Sequence, residues 1–355
     1  MAQNFTIIAL PDTQGYTDSY PATFTAQTEW IANNISALNI KAVVGLGDIA
    51  EGAGDLTQWA NADSSMRVLE GRVPYFMVIG NHDYDNDDPQ NRTASTKNFN
   101  AYFGPMRYAH SYSGYGGSYV PGSNENFYGT LTINGKQYIF LLLEFYPRIG
   151  ALRWAAEVIR SNPKAEIIVV THGYENYDNT RVALCDQYNA EYYGLGADND
   201  GDEMWVNLVS QFPNVSLVLS GHIIYGSQPA AGRETEPGFA GNIVNEELSN
   251  YQNLPNGGNG YLRILQFEPS SNKIVVKTYS PTLDSYLTDS GDSFTVPWHV
   301  TSATGTGTIK GRVKNTSCSA VAGAIVSYSG GSTVTDSSGN FTLANVSPGT
   351  KTVRV

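Results

Sequence analysis

The sequence predicts an α/β protein built from layers of strands and helices. Apolar runs rich in Val, Ile and Leu recur along the first 222 residues, and such runs are typical of strands buried on both faces of a sheet. Segments with apolar residues at helical spacing lie between several of these runs. Alternating strands and helices form layered α/β folds, so we expect a sheet core covered by helices.

The alternation is clearest in the first eighty residues. A strand at 7–10 is followed by a predicted helix over 24–38 and by a second strand over 41–46. Apolar spacing predicts a second helix over 56–69 and a third strand over 73–79.

Residues 84–126 interrupt this rhythm. They are rich in Tyr, Asn, Gly and Ser and show little apolar periodicity, which predicts a long irregular insertion. Long loops of this kind are often functional, so we expect this one to shape a substrate site. His110 within it is either a metal ligand or a surface histidine, and the sequence leaves both open.

A second sheet begins after the insertion. Strands 127–133 and 136–143 flank Asn134-Gly135, which is typical of a two-residue hairpin turn. A helix is predicted over 149–160, with Arg148 at its start. Arg148 is either a phosphate ligand or a surface arginine, since a guanidinium can bind a phosphate through two hydrogen bonds.

The later part of the chain is more polar. Residues 198–203 resemble a calcium loop, but Gly201 and Val209 do not fit that pattern, so a solvated acidic turn is predicted, followed by a helix over 204–212. Turn residues separate predicted strands at 262–267, 273–279 and 293–296, which we expect to complete the second sheet.

Composition divides the chain into a large and a small part. We expect one domain over 1–298, a Thr/Ser/Gly-rich linker over 299–308, and a partial β-sandwich over 309–355. The two cysteines, Cys185 and Cys318, fall in different predicted domains. The sequence therefore supports neither a disulfide framework nor a cysteine metal site.

Charge and hydropathy narrow the classes of partner. A net charge of -12 argues against a nucleic-acid or anionic-membrane surface, because both need basic patches. No apolar window is long enough for a transmembrane helix. The chain enters its first strand at once, leaving no room for a signal peptide ahead of it, yet few Lys and Arg among many Tyr, Asn, Ser, Thr and Gly favour an exported protein.

Five apolar runs end on side chains that bind metals or move protons. Asn81-His82-Asp83 alone is explained equally well by an Asx turn with a surface histidine. Sites in α/β sheets collect beyond the carboxyl ends of strands, so the recurrence favours a metal centre. The five endings are Asp12-Thr13-Gln14, Gly47-Asp48, Asn81-His82-Asp83, His172 and His222.

These endings, in this order, resemble the five-block signature of the calcineurin-like metallophosphoesterases. The resemblance covers about residues 1–298 and rests on Asp12-x-Gln14, Gly47-Asp48, Gly80-Asn81-His82-Asp83, His172 and Gly221-His222. It implies a four-layer α/β/β/α sandwich with two central mixed sheets. The last segment resembles a carboxypeptidase regulatory-like β-sandwich that stops before its final strands.

The resemblance also implies two metal ions of the Mn, Fe or Zn class. Asp48 would bridge them, with Asn81, His172 and His222 completing one site and Asp12 on the other. Two positions depart from the pattern, because Gln14 and Ile224 stand where the family usually has histidines. The Asp12 side should therefore bind its ion more weakly, with the Gln14 amide oxygen as a possible ligand, and prefer harder ions.

The implied reaction is hydrolysis of a small phosphate monoester or diester. Paired cations activate a water for in-line attack on phosphorus, and His82 would protonate the leaving oxygen while Asp83 holds its ring. Asn81 and Arg148 would contact the phosphate. Two alternatives stay open: a module that binds a phosphorylated or glycan ligand with little turnover, and an unrelated metal-dependent hydrolase. The sequence does not indicate the oligomeric state.

Overall fold

A computed structural model describes residues 2–85, 92–111, 114–195, 198–299, 307–347 and 351–355. The strands of the first 299 residues are β1 Phe5–Leu10, β2 Ile40–Gly45, β3 Tyr75–Met77, β4 Tyr115–Ser118, β5 Phe127–Ile133, β6 Lys136–Leu143, β7 Glu166–Thr171, β8 Val215–Ser220, β9 Ala230–Pro237, β10 Ile243–Asn250, β11 Leu262–Glu268, β12 Lys273–Ser280, β13 Ser285–Leu287 and β14 Ser293–Pro297. The helices are α1 Gln14–Ser19, α2 Pro21–Asn34, α3 Leu56–Arg67, α4 Lys97–Phe103, α5 Pro105–Ser111, α6 Ile149–Ser161, α7 Gly201–Asn207 and α8 Pro255–Gly258, with single 3₁₀ turns at Asn81–Asp83 and Val209–Gln211.

The first sheet is mixed. Its central strand β1 pairs in parallel with β2, and β2 pairs in parallel with β3. On its other side β1 pairs antiparallel with β11, which leads to β12, β13 and β14. The expectation that strands near 262–296 complete the second sheet is wrong, because these strands extend the first one.

The second sheet is also mixed and has the order β4-β5-β6-β7-β8-β10-β9. The Asn134-Gly135 hairpin joins β5 and β6 as predicted, with Ile133 opposite Lys136. From β6 through β7 and β8 to β10 the strands run parallel, so their carboxyl ends lie at one edge.

The two sheets pack face to face. Alternate residues of the second sheet, such as Phe140, Leu142, Ile168 and Val170, share a buried cluster with the first sheet and with α2 and α3. The intervening residues, such as Leu141 and Val169, pack against α6 and α7 on the outer face. This period-two division produces the predicted four layers of helix, sheet, sheet and helix.

The predicted irregular insertion is more ordered than its composition indicates. It contains α4, α5 and β4, and its aromatic side chains Phe99, Phe103 and Tyr108 are buried in the first cluster. His110 lies within α5, and its side chain is outside the described residues.

The C-terminal segment forms small sheets. Strands β15 Gly307–Arg312 and β18 Asn340–Val346 pair, as do β16 Ile325–Tyr328 and β17 Gly331–Val334, over a core of Val326, Leu343 and Val346. Most of the predicted linker, 300–306, lies outside the described residues, and β15 starts inside its predicted end.

The structure joins the two cysteines, although the sequence supported no disulfide framework. Cys185 and Cys318 form a disulfide with their Cα atoms 5.3 Å apart, across 133 positions of sequence. Lys314 Nζ also donates to Asp186 Oδ1 at 3.1 Å. The sequence argument failed because it assumed that different domains do not touch.

None of the described helices is long and apolar enough to cross a membrane.

Candidate metal centre

The five sequence-predicted strand endings meet at one edge of the two sheets. Asp12 follows β1, Asp48 follows β2, His172 follows β7 and His222 follows β8. Asp12, Asp48 and His222 adopt left-handed backbone with φ of 40°, 48° and 70°. Such conformations are strained for residues with a Cβ and cluster at functional sites.

One group of ligand atoms is compact. Asp48, His172 and His222 each offer a ligand atom, and these atoms lie within 4.8 Å of one another. Asn81 Oδ1 lies 3.1 Å from His172 Nε2, which places its amide beside them. His172 Nδ1 lies 2.7 Å from the Leu46 carbonyl oxygen, which orients the ring and leaves Nε2 facing the group.

Two glycines make this approach possible. A Cβ at Gly80 would lie 2.2 Å from the Asp48 nitrogen, and one at Gly221 would lie 2.3 Å from Asp12 Oδ2. Any larger residue would displace a ligand carboxylate, which explains the Gly that precedes Asn81 and His222 in the motifs.

Asp48 lies between the two halves of the centre. Its Oδ2 lies 3.1 Å from His172 Nε2 on one side and accepts from Gln14 Nε2 at 3.2 Å on the other. Its Oδ1 accepts from the His82 backbone nitrogen at 3.0 Å.

The Asp12 half contains two amides that sequence reasoning missed. Asn250 Nδ2 donates to Asp12 Oδ1 at 3.0 Å, and Gln252 Oε1 accepts from Gln14 Nε2. Asn250 ends β10 and Gln252 follows it, and the buried glutamates of this strand hide the apolar pattern that marks the other strands. The available signal was another strand ending on an Asn.

The donor set fits metal ions. Among the buried side-chain atoms that lack a hydrogen-bond partner in the described part of the chain, three belong to candidate ligands of this centre: Asp12 Oδ2, Gln14 Oε1 and His222 Nε2. Leaving such atoms unpaired costs about 1–3 kcal/mol each, and coordination of cations in the two halves of the centre would satisfy all three. A carboxylate, an amide oxygen and an imidazole are ordinary ligands for the predicted class of ion.

The electrostatics indicate closely coupled charges. Burial, together with the neighbouring Asp48, raises the pKa of Asp12 to about 8. Burial opposes ionisation of His172 and Asp48, but their mutual attraction raises the pKa of His172 to about 9 and lowers that of Asp48. Burial and the nearby His172 lower the pKa of His222, so this imidazole is neutral and able to ligate.

His82 lies at the mouth of the centre with its side chain 23% exposed. Its Nδ1 lies 3.0 Å from the Glu51 carbonyl oxygen and 3.8 Å from Glu51 Oε1. Burial disfavours the charged ring, but Asp48 and Glu51 raise the pKa of His82 above its usual value.

Asp83 does not orient the His82 ring, contrary to the sequence-based interpretation. Its Oδ1 accepts from the backbone nitrogens of Ile49 at 2.8 Å and Ala50 at 2.9 Å, and its Oδ2 accepts from that of Gly80 at 2.8 Å. The carboxylate therefore ties the loop that carries Asp48 to the turn that carries Asn81. Burial and the Asp48 charge raise the pKa of Asp83 to about 7, against the pull of these donors.

Arg148 is paired with an acid. Its guanidinium donates to the buried Glu144, and its backbone nitrogen donates to the same carboxylate at 3.1 Å. Its side chain is 46% exposed, at the start of α6.

The acidic segment 198–203 is only partly solvated, because Asp198 pairs with Arg92 and Asp200 caps α7.

Aromatic rings wall the His222 side of the centre. Phe145 and Tyr193 lie 4.7 Å and 5.2 Å from the His222 ring centroid, and Tyr188 lies at 6.0 Å. Tyr188 and Tyr193 belong to the loop that carries Cys185, so the disulfide anchors a wall of the site.

Comparison with known proteins identifies the family. Residues 5–225 match the family model of the calcineurin-like phosphoesterases. The chain belongs to this family. A curated relative, the uncharacterized protein YvnB of Bacillus subtilis (strain 168), is 35% identical over 281 residues, which is 78% of this chain. The chain spans 20% of the length of that relative.

Solved structures of low similarity were also found. A purple acid phosphatase, PPD1, from yellow lupin (Lupinus luteus) is 13% identical with a TM-score of 0.48, over 84% of this chain and 54% of that one. GAP50, titled the anchor in the inner membrane complex of Plasmodium, is 13% identical with a TM-score of 0.41, over 83% and 88%.

Within this candidate metal centre, two positions depart from the family pattern. Gln14 occupies the first position and offers its unpartnered Oε1. Ile224 is half-buried, beside Ile223 in the aromatic cluster. At these two positions the chain therefore has one amide oxygen, from Gln14, and one side chain without any ligand atom, that of Ile224.

Proposed function

We propose that this chain is a metal-dependent phosphoesterase that hydrolyses small phosphate monoesters or diesters. The observation that carries the proposal is the convergence of Asp12, Gln14, Asp48, His172 and His222 on one edge, with three buried ligand atoms left unpartnered. Unpaired buried polar atoms are costly, so a site that keeps three of them is arranged for a ligand.

Two groups of residues would hold the cations. Asp48, Asn81, His172 and His222 would hold one ion of the Mn, Fe or Zn class. Asp12, Gln14 and Asp48 would hold a second, weaker one that favours oxygen ligands. Bound there, such ions would lower the pKa of a water nucleophile and neutralise charge on the phosphoryl oxygens.

His82 would supply the proton for the leaving oxygen. The Glu51 carbonyl engages Nδ1, so Nε2 is the nitrogen left to transfer a proton. Its partial exposure lets an ester reach the ring while its backbone nitrogen stays tied to Asp48. General acid catalysis of this kind contributes about 10²–10⁴-fold.

Asn81 and Arg148 are proposed as phosphate contacts on different grounds. Asn81 Oδ1 faces His172, so its amide NH₂ remains to donate to a phosphoryl oxygen. Arg148 would have to share its guanidinium between Glu144 and the phosphate.

Hydrolysis of p-nitrophenyl phosphate and bis(p-nitrophenyl) phosphate tests the proposal. After chelation the protein should be inactive, and added Mn²⁺ should restore turnover of at least one ester. Asp48→Asn should abolish this recovery of turnover with Mn²⁺. Glu157→Gln, which changes an exposed residue of α6, should leave the recovery intact. Metal and phosphate binding without turnover would favour the binding-module alternative instead.

We also propose that the protein works in an oxidising, extracytoplasmic compartment. The support is the Cys185–Cys318 disulfide, since such bonds persist outside the reducing cytosol. Thiol labelling of the protein extracted from its native host under acid quench would test this. Complete labelling of both thiols would contradict it.

A further inference from the structure

A second cluster of carboxylates lies on the outer face of the second sheet. Glu175, Glu234 and Glu246 each offer an oxygen, and these atoms lie within 4.8 Å of one another. Glu234 and Glu246 stand opposite each other in the β9–β10 ladder. Glu246 lies on the same face of β10 as Val244 and Leu248 and is fully buried.

Glu175 is the unusual member. It is 0% exposed, and neither of its carboxylate oxygens has a hydrogen-bond partner among the described residues. A buried carboxylate with both oxygens unpaired is strongly unfavourable, so buried charges are normally paired or coordinate metals. Its oxygens nevertheless face two more carboxylates.

One arginine neutralises part of the cluster. Arg181 binds Glu246 through Nε at 2.6 Å and Nη2 at 2.7 Å, and lies 3.6 Å from Glu234 Oε2. Its guanidinium also stacks over Trp205 at 3.9 Å from the ring centroid. Three carboxylates against one guanidinium leave two negative charges, which match a divalent cation.

We propose that Glu175, Glu234 and Glu246 form a calcium site separate from the phosphoesterase centre. All three ligands are carboxylates, which Ca²⁺ prefers, and no imidazole or thiolate favours a softer ion. Ca²⁺–oxygen distances of about 2.3–2.6 Å place ligand oxygens up to about 5 Å apart, which the observed spacing meets. The Glu234 side chain is 25% exposed, which leaves an open side for water ligands.

The neighbouring charges agree with this assignment. Burial, with the Glu246 and Glu234 carboxylates, raises the pKa of Glu175 well above its usual value. Asp178 and Asp202 add further negative charge around the cluster. A bound cation inverts this electrostatic balance and favours the ionised carboxylate.

The position of the site gives it a structural role. Glu175 begins a short hairpin that returns at Arg181, with Val182 nitrogen donating to the Tyr174 carbonyl at 2.8 Å. This hairpin begins three residues after His172, and Asn179 Oδ1 accepts from the backbone nitrogen of Arg233 in β9. A cation bound by Glu175, Glu234 and Glu246 would fasten the hairpin to β9 and β10, beside a ligand of the phosphoesterase centre.

Calcium titration of the chelated protein tests the proposal. The melting temperature of the wild type should rise with added Ca²⁺ and saturate at one ion per chain by calorimetry. Glu175→Gln should remove the calcium response yet melt higher than the wild type without calcium, because Gln avoids the cost of burying or protonating an acid at this position. Glu234→Gln, which changes a partly exposed ligand, should weaken calcium binding by about tenfold or more.

The two metal centres can be told apart with Tb³⁺ in the Asp48→Asn background. Trp205 lies beside Arg181, so excitation of its indole should sensitise luminescence of Tb³⁺ at the glutamates, and Glu175→Gln should abolish it. Glu157→Gln serves as the control for general acidity. A calcium response that is absent in the wild type, or equal in both glutamate variants and the control, would overturn the assignment whatever the outcome of the ester assay.

Discussion

Asp83→Asn separates two roles for a residue of the central motif. The sequence suggests that Asp83 orients His82, whereas in the structure it accepts three backbone N–H bonds from Ile49, Ala50 and Gly80. An asparagine has one acceptor oxygen. It can keep the Ile49 and Ala50 bonds only by turning its NH₂ toward the Gly80 N–H, which places two donors face to face.

The cost follows from these contacts. A hydrogen bond to a charged group contributes about 1.5–3 kcal/mol, and a buried N–H left unpaired costs about 1–3 kcal/mol. Asn also removes a buried carboxylate whose pKa is raised by burial, so only the unpaired Gly80 N–H should remain as a net cost, and the free energy of unfolding should fall by about 1–3 kcal/mol. Metal content should fall as well, because the loops that carry Asp48 and Asn81 lose their connection.

The measurement is urea unfolding combined with metal analysis at pH 8. This pH lies above the pKa of Asp83, which is about 7. Asp55→Asn is the matched control. Asp55 caps α3 by accepting from the Thr57 nitrogen at 2.8 Å, and Asn caps equally well, so its stability should be unchanged. If Asp83→Asn kept full stability and metal content but changed the pH dependence of turnover, the assigned role would be wrong.

Three further predictions concern separate parts of the molecule. His82→Ala should lower kcat by about 10²–10⁴-fold while the metal content stays constant. If kcat and metal content fell equally, His82 would be a metal ligand. Glu166 accepts from Trp298 at 3.1 Å and His299 at 2.6 Å, and, although burial opposes ionisation, His299 and Lys136 lower its pKa to about 2. Glu166→Gln should therefore lower the free energy of unfolding by about 3 kcal/mol above pH 4.5, and this loss should vanish as the pH falls to 2. A loss of stability that does not depend on pH would refute this prediction. Replacing Cys185 and Cys318 by Ser should lower the free energy of unfolding by about 2–4 kcal/mol and speed proteolysis of the loop at 183–195, and unchanged cleavage would show that the disulfide does not hold this loop.

The sequence predicts that the candidate ligands lie together because their placement follows from chain direction. Strands that end in Asp12, Asp48, His172 and His222 have continuous apolar runs, and parallel strands bring their carboxyl ends to one edge. The hairpin over 127–143 is equally predictable, since Asn134-Gly135 suits only a tight turn.

Strands β9 and β10 were missed because their polar residues are stabilised by partners far away in sequence. Glu246 pairs with Arg181, and Glu247 faces the fully buried Arg263 of β11 at 3.5 Å. Periodicity cannot detect a buried carboxylate whose counter-ion lies on another element. The same limit hid Asn250, Gln252 and the disulfide, each of which depends on tertiary contact.

The metal stoichiometry of the wild type and of Asp48→Asn tests the central claim most directly. We expect two transition-metal ions per wild-type chain in excess Mn²⁺, with the Asp12-side ion lost first on dialysis, because it has only oxygen ligands. Asp48→Asn should hold neither ion, since its carboxylate lies between the two halves. Two ions retained at full occupancy in Asp48→Asn would contradict a centre organised around this residue.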